Sequence, residues 1–538
     1  MLSSARAAAI RAAGGWHGRT ILDGLDSSVT ATPDKLAIVD GNSMTGATTR
    51  LTYRELARRV DSIAAALAEM GVGKGDVVSW QLPNWWEFTA LHLAAMRIGA
   101  VSSPLMPIFR ERELRFMLRL AEAKVFVVPR VFRNHDYAAM AAALRPELPD
   151  LARVLVVGGE GADAFEGLWD GAAHPPPPAA RRPGPGDIIE ILYTSGTTGE
   201  PKGVMHTSDT LFGNVVPYAE RLGLGAGDTI LMASPLAHQT GFLFGMMMPV
   251  HLGCTVILQD IWNAGRAADL IAAEGVTFTM ASTPFLSDLA DVAETRRDDL
   301  RTLRIFLSAG APIPRALVRR ASDNLGAAIV SAWGMTENGA VTTTRLDDPP
   351  EKVFETDGCA LPGMELRTVG DDGAVLPPDR EGRLQVRGCS NFVGYLKRPE
   401  WYATDADGWF DTGDLARLDA DGYVRITGRT KDVVIRGGEN IPVVEVEGLI
   451  YQHPAVAECA VVGMPDPRLG ERACAYVVLR PGTALAFAEL VEFLGTKKLA
   501  RNYLPERLEV VASLPRTPSG KIQKFRLREM AKELTAAR

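Results

Sequence analysis

The chain has few cysteines, only five in 538 residues. They are odd in number and scattered, and no C-x-x-C pair or cysteine–histidine cluster occurs, so neither a disulfide framework nor a zinc site is expected. Reduced thiols are typical of a cytosol, so we expect a cytoplasmic protein. The five are Cys254, Cys359, Cys389, Cys459 and Cys474.

The chain also lacks an excess of positive charge. Its formal net charge is −7 at pH 7, which gives no general attraction to nucleic acid or to an anionic membrane surface. We therefore expect no nucleic-acid partner.

A long uninterrupted apolar run is missing too. The segment GFLFGMMMPVHLGCTVIL (241–258) is long enough to be tested as a membrane span, but Pro249, His251 and three glycines interrupt it. We predict a buried helix followed by a buried strand. The N-terminal MLSSARAAAIRAAGGWHGR lacks acids, as transit peptides do, but it has no secretory apolar core. We expect neither import nor integral membrane association.

The length of 538 residues exceeds what one hydrophobic core supports, so at least two domains are expected. The N-terminal part alternates helix and strand patterns. TYRELARRVDSIAAALAEMG combines a capping box of Thr52 and Glu55 with apolar helical spacing and Gly71 as a stop. NWWEFTALHLAAMRIG predicts a second helix, with Asn84 as N-cap and Gly99 as stop, between the strands VVSWQLP and AVSSPLM. This alternation is typical of an α/β domain with a largely parallel sheet.

The pattern of helices and strands changes near GRTKDVVIRGGENIPVVEVE (428–447). Shorter strand and helix patterns follow it and predict a small α+β lobe. We therefore predict an α/β protein with a large N-terminal domain of several subdomains, residues 1–430, and a small C-terminal α+β domain, residues 431–538. The proline-rich stretch 174–187 is predicted to be a loop inside the large domain.

The most informative stretch is ILYTSGTTGEPKGVMHT, in which a buried apolar strand runs into small, hydroxylated and flexible residues. It fails the Walker A pattern because Pro201 stands where the second glycine should be, which disfavours a P-loop kinase or NTPase. It still has the chemistry of an anion site, because glycines let the backbone curl around phosphate oxygens, hydroxyls donate hydrogen bonds and lysine adds a charge. The residues concerned are Thr194, Ser195, Gly196, Thr197, Thr198, Gly199 and Lys202.

This stretch resembles the phosphate loop of the adenylate-forming superfamily, which comprises acyl-CoA synthetases, nonribosomal-peptide adenylation domains and beetle luciferases. The resemblance spans almost the whole chain, because further motifs follow in the superfamily's order. They are SAGAP (308–312), AWGMTE (332–337), WFDTGDL (409–415), GRTKDVVIRGGENI (428–441) and PRTPSGKIQK (515–524).

The resemblance implies an AMP-forming acid–thiol ligase that uses ATP, Mg²⁺, coenzyme A and a small carboxylic acid. A carboxylic acid is a poor electrophile because hydroxide is a poor leaving group. Attack of the carboxylate on the α-phosphorus of ATP gives an acyl-adenylate and pyrophosphate, and a thiol then takes the acyl group and releases AMP. Two anions meet in the first step, so the site must supply cations and oriented donors.

The resemblance also implies roles for individual residues around the nucleotide. Glu337 would hold Mg²⁺, a hard ion suited to carboxylate and phosphate oxygens. Asp414 would accept hydrogen bonds from both ribose hydroxyls, and Arg429 would help to fix the ribose or the phosphates. The other residues expected near the nucleotide are Gly310, Ala311, Pro312, Trp333, Gly334, Met335, Thr336 and Ile426.

Movement of the small domain is a further implication. Lys521 would swing in to bridge the carboxylate and the α-phosphate, and Thr198 is the second catalytic candidate. Lys431 would be the pivot of a mobile lid. Gly437 and Gly438 would leave space for a narrow pantetheine tunnel, although an ordinary Gly-Gly hairpin turn is an alternative that the sequence leaves open.

SPLAHQTGFLFG resembles the segment that forms one wall of the acyl pocket. His238, the third catalytic candidate, would meet the carboxylate or gate the pocket, with a purely structural histidine as the alternative. Gly241, Phe242, Gly245 and Met246 suggest an apolar pocket with room. The expected substrate is therefore a short- or medium-chain fatty acid or a cyclic carboxylate such as cyclohexanecarboxylate.

Three alternatives stay open. The chain could be a stand-alone aryl-acid adenylating enzyme that loads a carrier protein, a luciferase-like oxidase, or a nucleotide-binding regulator without turnover. The joint presence of Lys202, Glu337, Asp414, Arg429 and Lys521 argues against the regulator. The sequence does not determine the oligomeric state, and a homodimer is one assembly compatible with it.

Overall fold

The computed structural model describes residues 4–169, 177–194, 200–310, 313–430, 432–436, 439–497, 499–517 and 520–536. Helices alternate with strands over most of these ranges. The helices are α1 (Ser4–Ala12), α2 (Ile21–Ala31), α3 (Tyr53–Glu69), α4 (Trp86–Ile98), α5 (Glu111–Ala121), α6 (Tyr137–Leu144), α7 (Ser208–Arg221), α8 (Gln239–Phe242), α9 (Met248–Leu252), α10 (Ala264–Glu274), α11 (Thr283–Arg296), α12 (Arg315–Leu325), α13 (Pro350–Glu355), α14 (Val443–Ile450), α15 (Phe487–Thr496) and α16 (Lys524–Ala536).

The strands fall into larger sheets and one short hairpin. They are β1 (Leu36–Gly41), β2 (Thr48–Thr52), β3 (Val77–Trp80), β4 (Val101–Pro104), β5 (Ala123–Pro129), β6 (Val131–Phe132), β7 (His135–Asp136), β8 (Arg153–Val157), β9 (Ile188–Thr194), β10 (Lys202–Thr207), β11 (Thr229–Met232), β12 (Thr255–Gln259), β13 (Phe278–Ala281), β14 (Ile305–Ser308), β15 (Ala328–Met335), β16 (Gly339–Thr343), β17 (Cys359–Ala360), β18 (Met364–Val369), β19 (Gly382–Gly388), β20 (Gly394–Tyr395), β21 (Phe410–Leu418), β22 (Val424–Arg429), β23 (Val434–Arg436), β24 (Glu439–Ile441), β25 (Val456–Asp466), β26 (Gly470–Leu479) and β27 (Arg507–Val510).

Two mixed sheets form the centre of the molecule. One has nine strands in the order β17-β16-β15-β14-β13-β11-β12-β1-β2, and the other has seven in the order β20-β10-β9-β4-β3-β5-β8. The central pairs of both sheets are parallel. The pairs at both ends of the nine-stranded sheet and at the β20 end of the seven-stranded sheet are antiparallel, while the β5–β8 pair at its other end is parallel. The prediction of an α/β fold with a largely parallel sheet is confirmed. A four-stranded antiparallel sheet, β18-β19-β21-β22, follows.

Local sequence signals fix the ends of several helices. Helix α3 begins after Thr52, whose backbone N–H donates to Glu55 Oε2 at 2.8 Å while its Oγ1 accepts from the Glu55 N–H. Helix α4 ends at Gly99, whose φ of 75° is the left-handed conformation that glycine adopts without strain. Both predictions are confirmed.

The predicted N-cap of α4 is wrong by one residue. Trp85 occupies that position, while the Asn84 amide donates to the carbonyl oxygens of Ser234 and Gln259 at 2.9 and 3.2 Å, and its Oδ1 accepts from the Leu236 N–H. These bonds join the start of α4 to the nine-stranded sheet. A side chain with buried backbone partners in another part of the chain is no longer available to cap its own helix.

The interrupted apolar segment forms buried helix and then buried strand, as predicted. Helix α8 continues as a π-helical turn, Leu243–Met247, into α9, and β12 follows. In the described part of the chain, no helix combines the length and the apolar character that crossing a bilayer requires.

A five-stranded sheet, β24-β23-β26-β25 with β27 on β26, lies C-terminal to the other sheets. We call the part of the chain built on it, residues 434–536, the small lobe, and the described residues up to 430 the large lobe. Helices α14 and α15 cover one face of this sheet, through buried Val446, Ile450, Leu490 and Leu494. Helix α16, which the sequence did not predict, covers the other face through Leu527 and Ala531.

Candidate active site

Four neighbouring strands of the nine-stranded sheet, β11, β13, β14 and β15, run parallel, so their carboxyl ends meet at one edge. The residues that follow these ends line a cavity of about 1860 Å³. The four-stranded sheet and the small lobe complete its walls.

Predicted site residues from distant parts of the sequence meet in this cavity. Those that line it are Thr194, Lys202, His238, Gly310, Trp333, Gly334, Met335, Thr336, Glu337, Asp414, Ile426, Arg429 and Lys521. The other predicted residues, Ser195, Gly196, Thr197, Thr198, Gly199, Ala311, Pro312, Lys431, Gly437 and Gly438, lie outside the described residues.

Asp414 is held in place by donors from two sheets. It stands opposite Arg429 in the antiparallel pair β21–β22, and its Oδ1 lies 2.9 Å from Arg429 Nε. Its Oδ2 accepts from Trp333 Nε1 at 2.8 Å, and the residue is only 4% exposed. Because each carboxylate oxygen has two lone pairs, this oriented carboxylate can still accept hydrogen bonds from hydroxyl groups of a ligand.

Glu337 is the buried acid of the site, with 6% of its surface exposed. The Tyr395 hydroxyl donates to its Oε1 at 2.8 Å. Burial raises the pKa of Glu337, while the hydrogen bond from Tyr395 and the charges of Lys202 and Arg429 oppose this rise.

The residues around Glu337 fit a magnesium ion that arrives with a nucleotide. Magnesium is usually held by one or two carboxylates together with substrate phosphates and waters, rather than by an all-protein cage. Among the described residues no group of three or more acidic, histidine or cysteine ligands occurs, whereas Glu337 supplies one carboxylate beside the Lys202 charge.

Lys521 reaches the cavity from the small lobe. The Thr517 N–H donates to the Lys521 carbonyl at 2.7 Å, and the Lys521 N–H donates to Thr517 Oγ1 at 3.0 Å, so two hydrogen bonds to Thr517 fix the backbone of Lys521. Burial and then the charge of Arg429 lower the pKa of Lys521 to about 8, although Asp414 and Glu337 act in the opposite direction. The ammonium group therefore lies in the electric field of the large-lobe residues.

Gly520, which precedes Lys521, allows the backbone at this point to approach the large lobe. Its φ of +84° is in the left-handed region, and a Cβ at this position would lie 2.5 Å from Ser282 Oγ. A larger residue would be strained and would also press against the large lobe.

His238 is the N-cap of helix α8, and its Nδ1 accepts from the Thr240 N–H at 3.3 Å. Burial and then the charge of Lys521 lower the pKa of His238 to about 4. The imidazole is therefore neutral near pH 7. Because its Nδ1 accepts a hydrogen bond, its Nε2–H can donate one to a bound carboxylate without adding charge.

The predicted pocket residues after His238 face the core instead of the cavity. A Cβ on Gly241 would lie 2.1 Å from the Pro235 carbonyl oxygen, and one on Gly245 would lie 2.4 Å from Met232 Cγ. Both glycines permit close packing, so the expectation that they give the acyl pocket room is wrong. Phe242 and Met246 are fully buried, and this segment lines the cavity through His238, Gln239, Thr240, Leu243 and Phe244.

Gln239 is a polar residue of this wall that the sequence reasoning missed. It is buried, and neither of its amide atoms has a hydrogen-bond partner among the described residues. A buried amide without a partner is costly. A polar group on a ligand would remove that cost, and nothing in the residue type signals this position in the sequence.

Tyr395 and Trp401 were also missed. Their ring centroids lie 4.9 and 5.1 Å from Lys202 Nζ. Strand β20 has only two residues, too few for a periodic pattern, and only its pairing with β10 brings Tyr395 to the lysine.

The comparisons with known proteins show the family to which the chain belongs. The family models described as AMP-binding enzyme and AMP-binding enzyme C-terminal domain match residues 25–396 and 445–521. The chain is 39% identical over 530 residues to the medium-chain fatty-acid–CoA ligase of Escherichia coli (strain K12), with 97% of this chain and 92% of that protein covered. It is 37% identical over 534 residues to a salicylyl-CoA synthase / salicylate adenylyltransferase of Streptomyces sp, with 97% and 95% covered.

A solved structure has a similar fold over almost the whole chain. The crystal structure of ATP-bound MatB from Rhodopseudomonas palustris has a TM-score of 0.85 and 30% identity, with 95% of this chain and 99% of that chain covered. The chain belongs to the AMP-binding enzyme family of the adenylate-forming superfamily. It is an AMP-forming acid–thiol ligase that uses ATP and coenzyme A, which confirms the enzyme class and cofactors that the motifs imply.

Proposed function

We propose that this enzyme activates a short- or medium-chain or cyclic aliphatic carboxylic acid and transfers it to coenzyme A. The observation that carries the proposal is the position of Lys521 of the small lobe, in one cavity with Lys202, Glu337 and Asp414 of the large lobe. In the first step a carboxylate oxygen bonds to the α-phosphorus while the bond to pyrophosphate breaks. In the second, the CoA sulfur bonds to the carbonyl carbon, AMP leaves and the thiol proton is released.

The acidic and basic residues of the cavity have different roles in the first step. Asp414 accepts from the ribose hydroxyls and so fixes the sugar, while Lys202 attracts the phosphates. Lys521 places its ammonium group between the carboxylate and the α-phosphate, where negative charge accumulates in the transition state. Glu337 would hold Mg²⁺, and the ion would supply positive charge that neutralises the phosphates.

Roles for the residues outside the described ranges complete the proposal. The loop 195–199, with Thr198 as its catalytic member, would wrap the phosphates, and Ala311 and Pro312 would line the adenine. We assign the domain boundary to residues 430 and 431, with Lys431 as the pivot. Rotation there would withdraw Lys521 and bring Gly437 and Gly438 to the acyl-adenylate for entry of pantetheine.

The aliphatic substrate is supported by the composition of the cavity wall. Leu243, Phe244, Met280 and Ala340 line it, and apolar side chains favour an apolar acyl group. The relative from Escherichia coli is named for medium-chain fatty acids, which is consistent with this choice.

A second candidate is an aryl acid with a polar substituent. The unpartnered amide of Gln239 in the cavity wall favours it, since a hydroxyl or amino group on a ring would provide the missing hydrogen bond. The relative from Streptomyces is named for salicylate. For such an acid, a phosphopantetheinylated carrier protein is the alternative acceptor to CoA.

A panel of carboxylic acids in an ATP–pyrophosphate exchange assay tests both candidates. We expect hexanoate, octanoate and cyclohexanecarboxylate to support exchange better than benzoate and salicylate, and CoA to trigger AMP release. Exchange only with salicylate or related acids would replace the aliphatic proposal by the aryl one. Oxygen consumption without CoA would instead indicate a luciferase-like oxidase, and no exchange with any acid would contradict the function as a whole.

The pH dependence of the first step should report Lys521. Since burial and Arg429 lower its pKa to about 8, its charge is lost as the pH rises through about 8, and kcat/KM for exchange should fall there. Bound phosphates favour the ammonium form, so the fall in kcat should occur at higher pH.

The variant Lys521→Arg is the matched test of this assignment, because arginine stays charged over the whole range. We expect a lower rate that no longer falls above about pH 8. An unchanged alkaline fall in this variant would assign the titration to another group.

We also propose a cytoplasmic location. The five cysteines form no disulfide, which fits a reducing compartment.

A further inference from the structure

The two rings beside Lys202 form a defined arrangement. Strand β20 pairs with β10 so that Tyr395 stands opposite Val204, two residues after Lys202. The Tyr395 ring centroid lies 4.9 Å from Lys202 Nζ, and the Trp401 centroid lies 5.1 Å from it. The two rings meet edge to face with their centroids 6.4 Å apart, so the ammonium group lies against two faces of one aromatic corner.

This corner holds the cation without neutralising it. An aromatic face attracts an ammonium group through its quadrupole, but it carries no net charge. In the described part of the chain Lys202 forms no ion pair within 4 Å. Its Nζ lies over the two rings, and its charge opposes the rise in the pKa of Glu337. Because the rings add no negative charge, the ammonium group remains available to a phosphate group that approaches from the cavity.

Tyr395 also connects the lysine to the acid of the site. Its ring contacts Lys202, while its hydroxyl donates to Glu337 Oε1 at 2.8 Å. The residue is 5% exposed and packs edge to face against Phe392, with centroids 4.8 Å apart. A buried, packed ring has few rotamers available, so it fixes the positions of both charged groups relative to each other.

We propose that Tyr395 and Trp401 are positioning residues for nucleotide binding, and we call the pair the aromatic corner. The corner orients the Lys202 ammonium group before ATP binds, and the Tyr395 hydroxyl orients Glu337 for the metal that accompanies ATP. This inference rests on the proposed function, because it assigns Lys202 and Glu337 to the phosphates of ATP.

The test uses substitutions that separate the two contacts. Trp401→Leu removes one ring, Trp401→Phe keeps a ring, and Tyr395→Phe keeps the ring while removing the hydroxyl. Tyr402→Phe is the matched control, because the Tyr402 hydroxyl donates to the Phe392 carbonyl at 3.3 Å and not to a carboxylate. Binding of ATP and of AMP is measured by calorimetry on the full chain, with Mg²⁺ and with EDTA, in the absence of any acid.

We expect Trp401→Leu to weaken ATP binding about 3- to 30-fold, the range for loss of one cation–π contact. AMP carries fewer phosphates and should be affected much less. Trp401→Phe should restore most of the affinity. Tyr395→Phe should bind ATP normally in EDTA, but it should need about 10-fold more Mg²⁺ for half-maximal enhancement of ATP binding, as expected for a lost hydrogen bond to a charged group.

Each other outcome argues against the corner. Unchanged or tighter ATP binding by Trp401→Leu would mean that the rings hold Lys202 in a position where it does not contact the phosphates. Equal losses for ATP and AMP would indicate a purely structural role. If Trp401→Leu does not fold, an unchanged Mg²⁺ requirement in Tyr395→Phe still overturns the connection to Glu337. A wild-type protein that binds no ATP would refute the proposed function itself.

Discussion

Replacing Lys521 with alanine should lower the rate of acyl-adenylate formation about 10²- to 10³-fold, by analogy with the loss of one transition-state donor. The side chain reaches the cavity from the small lobe, near large-lobe Arg429, Asp414 and Glu337. Because its charge acts between two anions, the effect should fall on kcat more than on binding of ATP. ATP–pyrophosphate exchange under saturating acid and ATP measures it.

The second half-reaction provides the internal control for Lys521. Thioester formation from a supplied acyl-adenylate and CoA should be largely unaffected in Lys521→Ala, since the lysine has no phosphate-transfer step to assist there. Lys532→Ala, which changes an exposed lysine on the neighbouring helix α16, should leave both half-reactions unchanged. Equal losses of Lys521→Ala in the two half-reactions would refute the assignment.

Replacing Asp414 with alanine should abolish recognition of the ribose. The carboxylate is oriented by Arg429 and Trp333, and hydrogen bonds to a charged acceptor are among the stronger ones in proteins. We expect wild-type enzyme to prefer ATP over 2′-deoxy- or 3′-deoxy-ATP by about 10- to 100-fold in kcat/KM. In Asp414→Ala the KM for ATP should rise by a similar factor, and the preference should disappear.

The deoxynucleotides distinguish a contact from a general disturbance of the site. If Asp414→Ala discriminates against deoxy-ATP as strongly as wild type does, another residue recognises the ribose. Asp357→Ala is a useful comparison, because this buried acid pairs with Arg315 at 3.0 Å and accepts from the Ile426 N–H. We expect it to reduce stability while keeping the preference for ATP.

Part of the fold could be predicted from single segments. The cap of α3 at Thr52 and Glu55 and the end of α4 at Gly99 depend on residues within one helical turn. Adjacent residues in the sequence are therefore enough to predict them. Asn84 shows the limit of this reasoning. Its local position favours a cap, but its side-chain amide donates instead to backbone carbonyls more than a hundred residues away in the sequence.

The candidate site shows the same division. The hydroxyl- and glycine-rich loop, Glu337, Asp414 and Lys521 stand in recognisable motifs, because their chemistry restricts the residue type at each position. Tyr395, Trp401 and Gln239 could not be predicted, since an aromatic or amide residue has many ordinary structural uses. The direction in which Gly241 and Gly245 face was misjudged, because helix packing against Pro235 and Met232 decides it.

The sequence by itself therefore determined the class of reaction, the α/β fold and the list of charged residues that we propose to act on ATP. Only the tertiary structure decided that Lys202 lies against two rings, that Asp414 is held by Trp333 and Arg429, and that the pKa of Lys521 is lowered. The reason is physical: residue type and local backbone geometry are properties of neighbouring positions, whereas burial and Coulomb interactions depend on distances between residues far apart in the chain.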